Sequence, residues 1–229
     1  SFSTYLGAAS GYYYYVQLPN SAKHEIWVYD LNHKMKFKMP WELEVNGQKT
    51  AYRRMIAMKN NSYALSGGFD NKDKVSRMFL HKVGADGKPQ EGVQLLSTGN
   101  DVGYTTNTMA FSIDNNYDKD GLFISPDSSY LVYTESASVK ATKNERLHVW
   151  VTDEAQSKKW DKEISLPYSD GELRIRQTAV TNEGKVVVVG HYFNIDGYRH
   201  KKISNHRTKL FVIDQNGYTE IDLDFSDKY

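Results

Sequence analysis

Apolar residues alternate with polar ones along short stretches of the chain, and turn-forming residues separate these stretches. Clear examples are residues 25–30 (EIWVYD), 147–153 (LHVWVTD) and 209–214 (KLFVID). Alternation with a period of two indicates β-strands, and no stretch longer than two turns places apolar residues at the helical spacing. The pattern therefore predicts an all-β chain.

The segment 121–135 (GLFISPDSSYLVYTE) is the clearest predicted hairpin. Pro126 presets φ for the first turn position, and the Asp127 side chain can accept a hydrogen bond from the backbone just after it. Residues 130–134 are rich in aromatic and β-branched side chains, which favour a half-buried strand.

Four units with this hairpin rhythm follow one another, and their strands fall into sets of about four. Three of the third strands end in an aspartate that can cap the following turn, namely Asp30, Asp153 and Asp214. Repeated four-stranded units that bury their faces against each other predict a β-propeller of about four four-stranded blades. The approximate predicted blades are residues 11–50, 51–100, 108–168 and 172–225.

A ring of four blades stands at the low end of the range of about four to eight blades. An incomplete ring would leave two blades with an uncovered side. The alternatives are a closed four-blade ring and a portion of a larger ring, and we expect the larger ring.

Residues 123–131 (FISPDSSYL) resemble the F-S-P-D-G-x-x-L signature of TolB-type, WD40-like propeller repeats, with Ser128 where that family usually has glycine. The segments 148–151 (HVWV), 166–168 (LPY) and 182–186 (NEGKV) are similar to uncharacterised bacterial envelope proteins. These resemblances imply a propeller of the periplasm or cell envelope that binds or scaffolds, and they transfer no catalytic residue.

Composition excludes several classes of function. The 29 basic and 28 acidic residues give a formal net charge of +1, so no overall field would attract nucleic acid. The chain has no cysteine and therefore no thiolate nucleophile or thiolate metal site. No apolar run approaches the roughly 18 residues of a spanning helix, so we expect no membrane-spanning segment.

Residues 116–127 approximate a calcium loop with glycine at its sixth position. The first position lacks aspartate, the twelfth lacks glutamate, and a strand replaces the expected following helix. A solvated acidic turn is therefore favoured and we expect no cofactor, with calcium as the alternative. The oxygen ligands in that alternative are Asn116, Asp118, Asp120 and Asp127.

Three histidines near one another, His191, His200 and His206, offer a second metal hypothesis. Basic residues crowd the same segment and would repel a cation, so a basic loop is favoured. Such a loop fits an acidic protein partner, and its aromatic residues add stacking surfaces. The predicted partner-binding residues are Tyr192, Phe193, Tyr198, Arg199, Lys201 and Lys202.

Catalytic constellations are weak in the sequence. No G-x-S-x-G elbow holds a serine nucleophile, and carboxylate pairs such as Asp222 with Asp224 are explained by surface turns. The four tryptophans are expected in the blade cores. The predicted function is a non-enzymatic propeller that recognises a protein partner in the envelope. The alternative is the substrate-gating or substrate-binding propeller portion of a peptidase or glycan-active enzyme.

Overall fold

Every regular element in the described residues is a β-strand, as the period-two pattern predicts. The computed structural model describes residues 2–18, 24–70, 75–98, 121–137, 144–169, 172–193 and 206–223. These ranges contain no helix of the length and apolarity needed to cross a membrane. The strands divide between two compact units, with β1 to β9 in the first unit and β10 to β17 in the second.

The first unit contains two antiparallel four-stranded meanders, which we call blades 1 and 2. They meet through a parallel bridge between β1 and β6, where Gly7 lies opposite Met55. Blade 1 comprises β1 (Phe2–Ala9), β2 (Tyr12–Leu18), β3 (Glu25–Asp30) and β4 (Met35–Pro40). Blade 2 comprises β6 (Gln48–Ala57), β7 (Ser62–Asp70), β8 (Val75–Val83) and β9 (Pro89–Thr98), and β5 (Glu42–Val45) pairs with β6.

The second unit contains two more antiparallel meanders, blades 3 and 4, and their first strands lie side by side. Blade 3 comprises β10 (Leu122–Ile124), β11 (Tyr130–Ala137), β12 (Asn144–Asp153) and β13 (Lys158–Ser169). Blade 4 comprises β14 (Leu173–Val180), β15 (Val186–Phe193), β16 (His206–Asp214) and β17 (Gly217–Leu223). The predicted sets of four strands are therefore present in both units.

The first strand of the chain was not predicted from the sequence. Residues 2–9 contain small residues and little apolar alternation, yet β1 pairs with β2 and bridges β6. Gly7 has a φ of 129°, and a Cβ there would collide with the carbonyl oxygen of Met55. Glycine thus permits the close approach of the two blades. Blade 1 begins at Phe2, and residues 42–45 extend blade 2 instead of closing blade 1.

Each unit has its own apolar core. In the first unit the core includes Tyr14 and Val16 of β2 and Ile26 and Val28 of β3, all fully buried. Because side chains alternate along a strand, the residues between them point to the opposite face of blade 1. The core of the second unit is built from β11 to β16 and is mostly aliphatic, with Phe211 at 0% exposure.

The predicted aspartate caps are present after three of the third strands. The Oδ1 atom of Asp30 accepts backbone N–H groups of Asn32 and Lys34, both at 3.0 Å. In the same way Asp153 accepts from residues 155 and 157 at 2.9 Å, and Asp214 accepts from Asn216 at 2.8 Å. These bonds satisfy donors that the tight turns leave unpaired.

Candidate functional site

The face of blade 1 that points away from the core cluster carries a set of aromatic side chains. We call this set the aromatic face: Tyr5, Tyr13, Tyr15, Trp27 and Tyr29. Tyr5 is 45% exposed and the other four are half-buried. The strands pair Tyr5 with Tyr15, Tyr15 with Trp27, and Tyr13 with Tyr29, so the rings form rows across β1, β2 and β3.

The four tyrosine rings of the aromatic face contact each other in tilted and edge-on geometries. The ring centroids of Tyr5 and Tyr15 are 5.2 Å apart, and those of Tyr15 and Tyr29 are 5.8 Å apart. These separations lie in the favoured range for aromatic pairs. Mutual contact holds the rings in place and leaves part of each ring to solvent.

Polar groups border the aromatic face on two sides. Gln17 Nε2 donates to Ser3 Oγ at 3.1 Å, and the Trp27 indole donates to Glu25 Oε2 at 3.3 Å. The Lys38 ammonium lies 4.2 Å from the centre of the Trp27 ring. The surface therefore combines apolar ring faces with neighbouring donors and acceptors.

Arginines lie on the first strand of the second blade in each unit. Arg53 and Arg54 lie on β6, and Arg174 and Arg176 lie on β14. Arg53 is half-buried, and the two arginines of β14 are exposed. A Cβ on Gly67 would stand 2.3 Å from Met78 Sδ and 3.1 Å from Arg53 Nε, so the absence of a side chain at Gly67 makes room for both residues.

A β-bulge interrupts the first strand in three of the blades at a corresponding place. The register against the second strand shifts between Tyr5 and Gly7, between Tyr52 and Arg54, and between Ile175 and Gln177. The extra residues are Leu6, Arg53 and Arg176. A bulge turns its extra side chain away from the regular alternation. In blade 1 this residue is buried in the core, and in blades 2 and 4 it is an arginine.

A charged cluster lies inside the second unit. The Lys209 ammonium donates to Glu220 Oε1 at 2.5 Å and to Asp222 Oδ1 at 2.6 Å, and the Tyr168 hydroxyl donates to the same oxygen of Glu220. Lys209 also lies 5.3 Å from the centre of the Tyr192 ring. The bond between Tyr168 of β13 and Glu220 of β17 joins blades 3 and 4. The side chain of Lys209 is only 7% exposed, so its ammonium group is hardly accessible to a ligand.

A serine and a histidine form a hydrogen-bonded pair inside blade 2. Ser66 Oγ lies 2.7 Å from His81 Nε2, and His81 Nδ1 lies 3.0 Å from the Gln90 carbonyl oxygen. A carbonyl only accepts, so Nδ1 carries the proton and Nε2 accepts from Ser66. This is the geometry of a nucleophile and its base. Ser66 and His81 are 0% and 1% exposed, however, so no substrate reaches them.

Asp127 acts as a turn residue. Its Oδ1 accepts from Ser125 Oγ at 2.7 Å and from the Ser129 amide at 3.1 Å, while Ser129 Oγ donates to Oδ2 at 2.8 Å. Ser128 has a φ of 58°, the left-handed conformation that the related signature fills with glycine. No group of three metal-ligating side chains occurs within the described ranges. Asn116, Asp118 and Asp120 lie outside those ranges, so the calcium alternative stays a prediction.

The predicted partner-binding loop is only partly described. Tyr192 and Phe193 end β15, whereas Tyr198, Arg199, Lys201 and Lys202 lie outside the described residues. Tyr192 is half-buried, and its ring centroid lies 4.9 Å from that of Tyr168. His191 is exposed on β15, and His200 lies outside the described ranges. The binding role of this loop stays a prediction.

The tryptophans do not all lie in the cores. Trp41 is 9% exposed within the core cluster of the first unit, and its indole donates to the Tyr52 carbonyl at 2.8 Å. Trp160 packs against the core of the second unit. Trp27 belongs to the aromatic face, and the half-buried Trp150 is also outside the core cluster of its unit. Placing Trp27 in the core was wrong, because Ile26 and Val28 on either side of it point inward.

Two solved structures of glycosidases have a similar fold. One is the α-L-arabinanase of Penicillium chrysogenum in complex with arabinobiose, which is 13% identical with a TM-score of 0.50. The other is the α-L-arabinofuranosidase Arb93A of Fusarium graminearum with an iminosugar inhibitor, which is 12% identical with a TM-score of 0.50. The alignments cover 95% and 99% of this chain but 65% and 67% of the enzymes, so the chain spans about two thirds of their length.

No protein-family model matches the sequence, and a search of curated proteins found no match. The fold similarity and the four-stranded meanders confirm the predicted all-β propeller. They do not show that the propeller belongs to the TolB-type or WD40-like class.

The comparisons correct the predicted function. The expectation was a non-enzymatic scaffold, whereas the similar structures are glycosidases. The findings agree better with the alternative, the substrate-gating or substrate-binding propeller portion of a peptidase or glycan-active enzyme, than with the scaffold. At this level of identity the similarity itself establishes the fold.

Proposed function

We propose that this chain is the substrate-binding propeller portion of a glycan-active protein and that the aromatic face contacts the saccharide. The observation that carries the proposal is the row of half-exposed rings on β1 to β3, with Tyr5 at 45% exposure. The similar enzymes are named as acting on arabinose-containing substrates, so arabinan is the first probe.

The chemistry of the aromatic face suits a sugar. One side of a sugar ring presents C–H groups, which pack on aromatic rings, and its hydroxyl groups need hydrogen-bonding partners. Tyrosine and tryptophan supply an apolar body with a polar tip. Gln17, Ser3 and Glu25 lie at the border of the rings, where hydroxyl groups would project.

Binding, as distinct from hydrolysis, is the part of the activity that the described residues support. Glycoside hydrolysis ordinarily uses two carboxyl groups that flank the scissile bond. The first strands of the four blades, β1, β6, β10 and β14, contain no aspartate or glutamate. We therefore limit the proposal to recognition of the saccharide by the aromatic face.

We also propose that the propeller belongs to the TolB-type, WD40-like class. The segment 123–131 supports a TolB-type, WD40-like repeat, because Ser128 adopts the left-handed conformation of the family glycine. The envelope location implied by that resemblance is consistent with a ligand found outside cells, and it stays part of the proposal.

Retention in native gels that contain soluble polysaccharides tests the proposed function. We expect retardation by arabinan or another glycan of a panel that includes galactan and xylan. Replacing Tyr5 or Tyr15 by alanine should weaken retention about five- to ten-fold, the equivalent of one aromatic contact of about 1 to 1.5 kcal/mol. Tyr218→Ala is the matched control, because Tyr218 is 37% exposed and lies in the other unit.

Two results would overturn the proposal. The first is the absence of retardation by any glycan of the panel. The second is a lower melting temperature of Tyr5→Ala with unchanged retention, which would show that the face packs against protein.

A further inference from the structure

The strand register places three rings of the aromatic face in one line across blade 1. Tyr5 pairs with Tyr15, and Tyr15 pairs with Trp27. We call these three residues the aromatic row. Neighbouring strands lie about 4.8 Å apart, so the row is about 10 Å long. The ring centroids of Tyr5 and Tyr15 are 5.2 Å apart, which is close to the strand spacing.

A row of polar side chains runs beside the aromatic row, two residues along each strand. Ser3 pairs with Gln17, and Gln17 pairs with Glu25. We call these three residues the polar row. Residues two positions apart on a strand share a face, so both rows point to the same side of the sheet. The hydrogen bond from the Trp27 indole to Glu25 joins the two rows.

The Tyr13 ring, which lies on the other side of the aromatic row, is partly covered within the protein. The His33 ring stacks on it, with the ring centroids 5.4 Å apart and the two planes at 7° to each other. One face of Tyr13 is therefore occupied, whereas Tyr5 is 45% exposed. This difference favours the line through Tyr15 over the line through Tyr13 as the place where a ligand stacks.

The charges beside the two rows balance each other. Lys38 of β4 pairs with Trp27 in the strand register, and its ammonium lies 3.7 Å from the carboxylate of Glu25. These two side chains are 43% and 46% exposed, so they present a donor and an acceptor at this end of the rows. The other members of both rows are uncharged. An uncharged ligand with many hydroxyl groups matches such a surface better than an anion does.

We infer that the ligand is an uncharged glycan chain of at least three sugar residues, which crosses the strands along the aromatic row. This inference rests on the proposed function and names its substrate class. One sugar residue of an extended chain is about as long as the strand spacing. Three strands each supply one ring and one polar side chain, namely Tyr5 with Ser3, Tyr15 with Gln17, and Trp27 with Glu25. Each added sugar residue, up to three, therefore gains one ring and one polar partner.

A series of ligand lengths tests the extent of the site. Calorimetry is carried out with oligosaccharides of one to five residues from arabinan, galactan and xylan. For the glycan that binds, we expect the affinity to rise about ten-fold or more from one residue to three, because two further rings are engaged. From three residues to five it should change about two-fold or less.

A pair of ligands tests the charge. Polygalacturonate is compared with its fully methyl-esterified form, which has the same backbone without charge. We expect the acid to bind no more tightly than the ester, because Glu25 already pairs with Lys38.

Two tyrosines of β2 test the position of the ligand. Tyr15→Ala should weaken binding of the trisaccharide about five-fold or more, whereas Tyr13→Ala, two positions away, should weaken it about two-fold or less. Tyr15→Phe keeps the ring and should stay within about two-fold of the unaltered chain.

Two glutamines test the polar row. Gln17→Ala should weaken binding about three-fold or more, the equivalent of one hydrogen bond. Gln177→Ala is the matched control and should leave binding unchanged, since Gln177 is an exposed glutamine of the second unit.

Each outcome decides the inference. Equal affinity for one and three sugar residues overturns the extended chain and leaves the proposed function standing. Tighter binding of the acid overturns the uncharged substrate class. Equal losses in Tyr13→Ala and Tyr15→Ala, or in the two glutamine variants, overturn the assignment of the rows, and a loss in Tyr15→Phe as large as in Tyr15→Ala overturns stacking. Retardation by no glycan at all removes the proposed function and the inference together.

Discussion

Two buried polar side chains on third strands, His81 on β8 and Lys209 on β16, reach opposite charge states. Burial lowers the pKa of His81, and its hydrogen bond to the Gln90 carbonyl only partly opposes this effect. Burial also acts to lower the pKa of Lys209, but its hydrogen bonds to Asp222 and Glu220 outweigh that effect and raise the pKa above its usual value. His81 is neutral and Lys209 is charged.

The sites of His81 and Lys209 differ in the groups that hydrogen-bond to the buried side chain. Ser66 and a backbone carbonyl satisfy the neutral imidazole, whereas two carboxylates surround the ammonium group. Burial alone therefore does not decide which form is stable. Both sites are complete within the protein, and this supports a structural role for each of them. The proposed function therefore assigns the ligand to the exposed aromatic face and not to either of these sites.

Removing the carboxylates of the second unit should produce the largest effect. The double variant Glu220→Gln, Asp222→Asn leaves the Lys209 ammonium buried without a counter-charge. We expect a loss of about 3 kcal/mol in the free energy of unfolding, at the low end for a broken buried pair because Asp222 is 51% exposed. Urea denaturation measures the loss.

Hydrogen exchange of peptides from β13 to β17 would locate that loss. Asp161→Asn is the control, since its ion pair with Lys158 at 2.8 Å is exposed and should contribute about 0 to 0.5 kcal/mol. A double variant no less stable than this control would contradict the comparison.

Removing the hydroxyl group of the first unit should have a smaller effect. Ser66→Ala leaves His81 Nε2 buried without a donor, because the bond of 2.7 Å is lost. We expect about 1 to 2 kcal/mol of destabilisation, the usual range for an unsatisfied buried polar atom. Ser3→Ala removes an exposed hydroxyl group and should change stability by a few tenths of a kcal/mol at most. Equal losses in the two variants would show that Ser66 contributes no more than a surface group.

Much of the fold follows from the alternation of apolar residues. The contact between Lys209 and its carboxylates, however, can be predicted only when the register of the two strands is known. The strand 209–214 was predictable, and the predicted blade 172–225 also contains Glu220 and Asp222. Their meeting depends on the turn that pairs Asp214 with Gly217. Counting back from that turn places Lys209 opposite Asp222. The length of the turn therefore decides whether the buried lysine has a partner.

Other features of the candidate site were not predicted from the sequence, for a different reason. The core position of Trp27 was predicted because it alternates with other apolar residues, although the same alternation places Ile26 and Val28 together on the opposite face. The bulges at Arg53 and Arg176 leave no mark in the sequence, because an extra residue is defined only against the neighbouring strand. The strand β1 was missed because Gly7 serves backbone approach, which no side-chain pattern reports.

Acid should weaken the first unit through His81, with a smaller effect than the loss of Ser66. The folded pKa of His81 lies below its usual value, while the unfolded histidine binds a proton near pH 6.5. The unfolded chain then holds more protons than the folded chain below that pH. The contribution of His81 is therefore present in full above about pH 6.5 and is lost as the pH falls through the folded pKa. Lys209 keeps its proton throughout this range.

Nuclear magnetic resonance of the His81 ring, followed from pH 8 to pH 5, measures this behaviour directly. The ring signals should stay at the positions of the neutral form to a lower pH than those of an unfolded histidine. Urea midpoints should fall between pH 7 and pH 5, and the fall should be smaller in His81→Gln, which has no titrating group at this position. A folded pKa of His81 at or above 6.5 would mean that Ser66 and the Gln90 carbonyl accommodate the charged ring. His81 and Lys209 would then no longer differ in whether the buried site accepts a charged side chain.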